Sequence, residues 1–310
     1  MYYKLTLIEV EKFLKYSSEI GSDFMLCQGP GGNTSFKKDG LIYIKKSGFH
    51  LSKSTRKSFQ EIDYKSILSF YKKNMTEGEK YSDSLSIETP LHVLLKAKYV
   101  FHYHSIASII CSLIIPKSTL DSFLVSKKIM PIKYIRPGIN LAREVQKNNL
   151  KNSQSSFFLY NHGMVVEGNN LKELKNRIFE IEDCFNELID YEYLLRLKKV
   201  IFETNQNNLQ FLNPDSSIQY EQFEGKFFFP DHAVFFPYAL SRDENAEIFY
   251  NQDNIIFKKQ LSVTEMLYFK TLLIIFSYIK NKKIYNHIDH ATSNLLRSAD
   301  DEILRKNINK

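Results

Sequence analysis

A chain of 310 residues that is 43% hydrophobic and 25% charged, with 24 Phe and 19 Tyr, is too aromatic for extended disorder and long enough for a buried core in one large domain or two smaller ones. The net charge of +7 comes from 42 Lys and Arg against 35 Asp and Glu. The lysines are dispersed and form no stripe, so nucleic acid is set aside as a partner in favour of anionic small molecules.

The most apolar stretches, Ser105–Pro116 and Leu267–Ile279, fall short of the about 20 residues that a membrane-spanning helix needs. The N-terminus has no basic start followed by an apolar block, as a secretory signal would. Cys27, Cys111 and Cys184 are odd in number and far apart, which points to a reducing, cytoplasmic setting without a disulfide framework.

In chain order, Leu5, Ile8, Phe13 and Leu14 recur at helical spacing and predict an amphipathic helix over 2–20. Gly29-Pro30-Gly31-Gly32-Asn33 is a tight turn. Thr34–Lys37 and Leu41–Lys45 flank an Asp39-Gly40 pair, a hairpin signal. Residues 55–75 read as helix, Thr76–Ser84 as a polar loop, and Glu88–Lys96 as a short helix with Pro90 in its first turn. Val100–His104 is a strand, and Ile106–Ile115 a buried strand or helix ended by Pro116. Ser156–Tyr160 is a strand, and apolar positions 174, 178, 181, 185, 188 and 189 predict one long helix over Leu171–Lys199. Glu203–Ser217 is rich in Asn, Gln, Pro and Ser, reads as a linker, and sets a boundary near residue 205. Beyond it lie strands at Lys226–Phe229, Ala233–Phe236 and Ile255–Lys258, and helices at Val263–Lys280 and about 287–308.

The histidines carry the chemical signal. On a strand, residues i and i+2 point to one face, so His102 and His104 bring two imidazoles toward one point. His162 follows a second strand, in Leu159-Tyr160-Asn161-His162-Gly163. Three histidines with an open position describe a catalytic zinc site. Taken singly, a His-X-His is more often a packed or surface pair, and Asn-His-Gly an ordinary turn. Glu88 lies four residues before His92. A carboxylate there is a metal ligand or an acid/base, or simply a residue favoured by the helix dipole. Gly31-Gly32-Asn33, with Thr34 and Ser35 behind it, reads as a phosphate-cradling turn or as a plain hairpin entry. Ser47, Gly48 and Ser86 are further small donors. His92 reads as a packing residue beside the site, His232 as structural, and His287 and His290 as part of a solvated helix face.

The ordered set GPGGNTSFK (29–37), IKKSG (44–48), SIETPLH (86–92), FHYHS (101–105) and YNHG (160–163) resembles the class II aldolase/adducin family. It is most similar to the aldolase part of rhamnulose-phosphate aldolase/dehydrogenase-like proteins. Tyr134–Ala142 and Phe229–His232 also resemble segments of that variant, while no GxGxxG occurs in these residues.

The resemblance implies a three-layer α/β/α domain over 1–205 with a mainly antiparallel central sheet, followed by a smaller α+β extension over 206–310. It implies one zinc ion per subunit held by His102, His104 and His162, with Glu88 as the acid/base and a fourth ligand before substrate binds. Gly32, Asn33, Ser47, Gly48 and Ser86 become phosphate contacts. Ile87 departs from fuculose-phosphate aldolase-like members, which carry a second serine there. The implied function is zinc-dependent cleavage of a C–C bond in a sugar phosphate or related acidic sugar through a metal-stabilised enediolate, in a cytoplasmic homotetramer. Epimerisation, dehydration or decarboxylation at the same site is the alternative chemistry. A metal-free adducin-like scaffold would be expected to have lost the histidines.

Overall fold

Two sets of buried side chains, one on each face of a single sheet, organise most of the chain. The structure, a computed structural model, describes residues 2–73, 76, 79–152, 155–203, 206–207, 209–237 and 240–298, except the side chains of 2–7, 152 and 206–207. The elements run α1 (Tyr2–Ser22), β1 (Asn33–Lys38), β2 (Leu41–Lys45), β3 (Phe59–Asp63), α2 (Tyr64–Lys72), α3 (Thr89–Leu94), β4 (Tyr99–Tyr103), α4 (Ile106–Ile114) and α5 (Lys117–Ser126). There follow β5 (Met130–Ile132), α6 (Ile139–Asn152), β6 (Ser156–Leu159), β7 (Gly163–Gly168), α7 (Leu171–Asn186) and α8 (Tyr191–Glu203). The rest comprises β8 (Gln206–Asn207), β9 (Gln210–Leu212), α9 (Pro230–Phe235), β10 (Leu240–Ser241), β11 (Ile248–Tyr250), β12 (Asn254–Phe257), α10 (Val263–Ile279) and α11 (His290–Arg297).

The main sheet has the order β3-β2-β1-β4-β7-β6-β5. Its pairs are antiparallel except β5 with β6. Strand β4 is central, and its two-residue period divides its side chains between the faces. Val100 packs with Ile42, Ile44 and the α3 and α6 residues Val93, Leu94 and Val145. Phe101 and Tyr103 pack on the other face with Phe13 and Phe36 of α1 and β1, and with Ile178 of α7. The result is the expected α/β/α layering with a mainly antiparallel sheet.

Residues after α8 form a second sheet, in the order β10-β11-β12-β9-β8. Helix α10 lies against it, started by a capping box in which Ser262 Oγ accepts from Glu265 N and Glu265 Oε2 accepts from Ser262 N. Its residues from Tyr268 to Ile279 are buried all round. Phe269 of this helix meets Phe211 and Phe257 at ring-centroid distances of 5.1 and 4.7 Å. These rings belong to the same continuous core as Phe13 and Phe36. Among the described residues no helix is long and apolar enough to cross a membrane.

Local chemistry explains where the structure departs from the sequence expectations. The predicted helix over 55–75 is a strand, β3, followed by α2, because Asp63 Oδ1 accepts from Ser66 N at 2.7 Å and starts the helix only at Tyr64. The single long helix over 171–199 is two. Asp190 Oδ1 accepts from Tyr193 N at 2.8 Å and caps a new helix, while its own amide donates to Tyr278 Oη at 2.7 Å. Ala233–Phe236, read as a strand, lies mostly in helix α9, where Pro230 occupies the first turn. That segment is buried on every side, so it carries no periodicity to read. The presumed linker contains β9. The boundary at 205, and the final helix beyond 298, fall outside the described residues.

Glu182 of α7 is buried beneath β4, where its Oε2 accepts from Ser105 Oγ at 2.7 Å. Burial pushes its pKa up from 4.5 to about 8. Between those values the unfolded chain releases a proton that the folded chain keeps, so stability falls as pH rises from about 4.5 to about 8. Glu182→Gln is expected to remove that part of the decline. Urea midpoints at pH 5.5 and pH 8.5 would then differ less in the variant than in the parent protein.

Candidate metal centre

Strand β4 carries His102 in register with Asn33 of β1 and Val165 of β7. His104 lies one residue past the strand's end, on the side of the chain that His102 and Val100 share. His162 sits in the tight turn between β6 and β7, where Asn161 has φ +54°. Gly163 follows with φ +146°, and a Cβ there would lie 2.3 Å from the Tyr103 carbonyl oxygen. Only glycine lets this turn approach the end of β4. Glu88 immediately precedes α3, in a turn closed by Thr89 N donating to Ser86 O and Glu88 N donating to Ser86 Oγ.

These elements bring four ligand atoms together, all within 4.8 Å of one another and all buried. Nε2 of His102 and Nε2 of His104 are 3.1 Å apart. Oε1 of Glu88 lies 3.2 Å from His102 Nε2 and 3.0 Å from His162 Nε2. The remaining ring atoms set the protonation pattern. His102 Nδ1 lies 2.9 Å from the Met164 carbonyl, which can only accept, so Nδ1 carries a proton and Nε2 is the atom left to face a cation. His104 Nδ1 lies 3.1 Å from Asp231 Oδ2, at ion-pair distance.

The electrostatics follow from burial and crowding. Burial alone would raise the Glu88 pKa, but the charges and hydrogen bonds of His102 and His162 outweigh it and hold the carboxyl well below its ordinary range. Burial pushes His162 down to about 4, with Glu88 offsetting only part. Burial also opposes charge on His102, yet the adjacent Glu88 leaves its pKa above the ordinary value. His92 is buried, its Nδ1 is 3.0 Å from Ser35 Oγ, and burial followed by the nearby His102 drives its pKa well down.

The donor set fits a divalent cation. Three of the six separations among the three imidazole nitrogens and the carboxylate oxygen are 3.0–3.2 Å, and all are within 4.8 Å. Tetrahedral ligands about 2.0–2.1 Å from one ion would lie about 3.3 Å apart. Polar atoms brought this close in a dry interior need protons shared between them or a cation among them.

Of the other predicted site residues, Asn33 contacts this group directly. Asn33 Nδ2 donates to Glu88 Oε2 at 2.9 Å, so Asn33 orients the carboxylate. Gly32 runs beside the His102 carbonyl. At Gly31 a Cβ would lie 2.9 Å from both His104 Nδ1 and the Gln28 carbonyl, so this glycine makes room for a ligand ring. Ser47 N donates to Ser84 O at 2.9 Å, which brings the Ser47-Gly48 loop beside the turn holding Ser86. Buried Lys45 ties the remaining pieces together, donating to Pro30 O at 3.0 Å and to Phe49 O at 2.7 Å.

The family model for the class II aldolase and adducin N-terminal domain matches residues 11–189. The chain belongs to this family. A curated relative from Bacillus subtilis (strain 168), described as the uncharacterized oxidoreductase YuxG, is 29% identical over 183 residues, which is 51% of this chain and 26% of that protein. The match thus spans about a quarter of that relative's length. The N-terminal class II aldolase domain of a conserved protein from Thermoplasma acidophilum is 27% identical, with 57% of this chain and 91% of that one covered at a TM-score of 0.49. The L-fuculose-1-phosphate aldolase of Thermus thermophilus is 17% identical, with 59% and 96% covered at a TM-score of 0.42.

In this class II aldolase-family chain, Asp231 was not among the sequence-predicted site residues. Its only signal was the Phe229–His232 segment, and nothing local reveals that it reaches His104. His232 is structural, as expected, since its Nδ1 accepts from Phe228 N at 3.1 Å. Gly31→Ala is expected to push the His104 ring aside, weakening divalent-metal affinity about 10-fold while costing about 1–3 kcal/mol of stability. Chelator competition and thermal melting would measure the two effects.

Proposed function

We propose that the protein is a zinc-dependent, class II aldolase-type lyase that cleaves a C–C bond in a sugar phosphate or related acidic sugar. The observation that carries this is the convergence of His102, His104 and His162 with Glu88 on one buried point, in a chain of this family. Three neutral imidazoles with a carboxylate suit zinc among the divalent ions.

His102, His104 and His162 would hold the ion. When bound, zinc supplies Lewis-acid charge for oxygens that become negative as the bond breaks. Glu88, ionised and steered by Asn33 through its Oε2, carries a proton to or from the reacting carbon. The backbone and hydroxyl groups of Gly32, Asn33, Ser47, Gly48 and Ser86 supply donors for the substrate's anion, with Lys45 adding positive charge at the same junction. Ile87, buried beside them, contributes an apolar contact in place of a hydroxyl. Residues 1–205 act as the catalytic domain and 206–310 as a C-terminal extension on a shared core. A cytoplasmic homotetramer is the assembly proposed.

Purified protein is expected to contain about one zinc per chain by elemental analysis, and His102→Ala to lose it. Glu88→Gln is expected to keep the ion while turnover falls at least about 100-fold. Full turnover in Glu88→Gln would remove that residue from the proton-transfer role. A chain that stays metal-free after zinc addition would instead indicate the adducin-like scaffold. A panel of ketose phosphates and sugar-acid phosphates, with products identified by mass, tests the reaction. Fragments support the lyase, unchanged mass the epimerase, and loss of water or CO2 the dehydratase or decarboxylase.

A further inference from the structure

We infer that Asp231, which lies beyond the family-matched residues 11–189, is a positioning residue of the metal centre. Its side chain fixes the tautomer and orientation of His104, so the C-terminal region completes the site. This deepens the zinc proposal and rests on it.

Asp231 is fully buried in the first turn of α9, with Oδ2 3.1 Å from His104 Nδ1. The contact is one of ion-pair distance, and a small rotation of either group would let the carboxylate accept the Nδ1 proton, leaving Nε2, 3.1 Å from His102 Nε2, free for a cation. The Met164 carbonyl does the same for His102. A carboxylate does it more strongly, because a charged acceptor makes the bound imidazole more basic.

The loop that delivers Asp231 is fastened to the same elements. Phe228 N donates to His232 Nδ1 at 3.1 Å, and Phe228 O accepts from Asn161 Nδ2 at 3.2 Å. Asn161 is the neighbour of His162. Phe227 exchanges two backbone hydrogen bonds with Ile288, at 3.1 and 2.7 Å. Close by, Asn286 Nδ2 donates to the Ser112 carbonyl of α4 at 2.7 Å. One loop from the C-terminal region therefore grips both histidine-bearing turns.

Charge balance points the same way. As metal ligands three imidazoles bring no charge, and Glu88 is the one carboxylate among the four ligand groups. A second carboxylate beside His104 would add negative charge where a divalent ion is to sit, which lowers the cost of placing that ion in a dry interior.

The test uses the full chain with Asp231→Ala and Asp231→Asn. Zinc affinity is read by competition with a chromophoric chelator. The His104 tautomer is read in the zinc-free wild type and in each variant by 15N NMR of the imidazoles. We expect Asp231→Ala to bind zinc about 10–100-fold more weakly. Asp231→Asn, which keeps an acceptor oxygen but no charge, is expected to recover part of that loss. In the wild type, His104 should carry its proton on Nδ1 before any metal is added. If Asp231→Ala fails to fold, the isosteric Asn variant and the wild-type tautomer decide. Affinities within twofold of wild type in the folded variants, or an Nε2-protonated His104 in the wild type, would overturn the role. Wild-type protein that binds no zinc overturns the metal assignment itself. Wild-type binding matched by every folded variant overturns only Asp231.

Discussion

Four polar ligand atoms pressed together in a dry interior have lost their hydration, and they stay close only where protons or a cation sit among them. Leaving one charge of a buried pair uncompensated costs about 3–5 kcal/mol, a large share of the about 5–15 kcal/mol by which a domain is stable. The group of Glu88, His102, His104 and His162 therefore constrains much around it. The β4–β7 register places His102 against the Met164 carbonyl, the β6–β7 turn aims His162, and the turn before α3 turns Glu88 inward. A protein with no use for a cation would gain by replacing any of these side chains with an apolar one.

The parts of this arrangement legible in the sequence are those set by local period. His102 and His104 share a face because a strand repeats every two residues, and Val100–His104 reads as a strand by composition alone. His162 was legible only through its place in an ordered set of motifs, since its own turn is commonplace. Asp231 was not legible, because its role depends on a fold that returns the chain to β4 only after helices α4 to α8 and strands β8 and β9. The misread elements share a cause. Helical spacing runs on from Ile62 into α2 and from Phe185 past Asp190, and only the capping side chains of Asp63 and Asp190 show where one element stops and the next begins.

The glycine-rich turn has two roles in one stretch of backbone. Sequence chemistry reads Gly31-Gly32-Asn33 as an anion cradle. In the structure Gly31 is the floor beneath the His104 ring, and Asn33 holds the second oxygen of Glu88. The two roles are compatible. Lys45 fastens the same turn to the Ser47-Gly48 loop. An anion bound there would lie close to Glu88, because Asn33 of this turn holds that carboxylate.

The C-terminal region has to be weighed on the same physical terms. Its aromatic rings join the core that begins at Phe13, so it shares that core rather than hanging from a linker. Hydrophobic contact of this kind is non-directional and would tolerate small shifts of one region against the other. The polar contacts would not. A hydrogen bond weakens steeply with misalignment, and the loop around Phe228 makes such bonds to the turn holding His162 while Asp231 faces His104. The apolar core supplies the adhesion and the polar contacts the register, so a change that loosens the α9 loop should disturb the metal centre well before it separates the two regions.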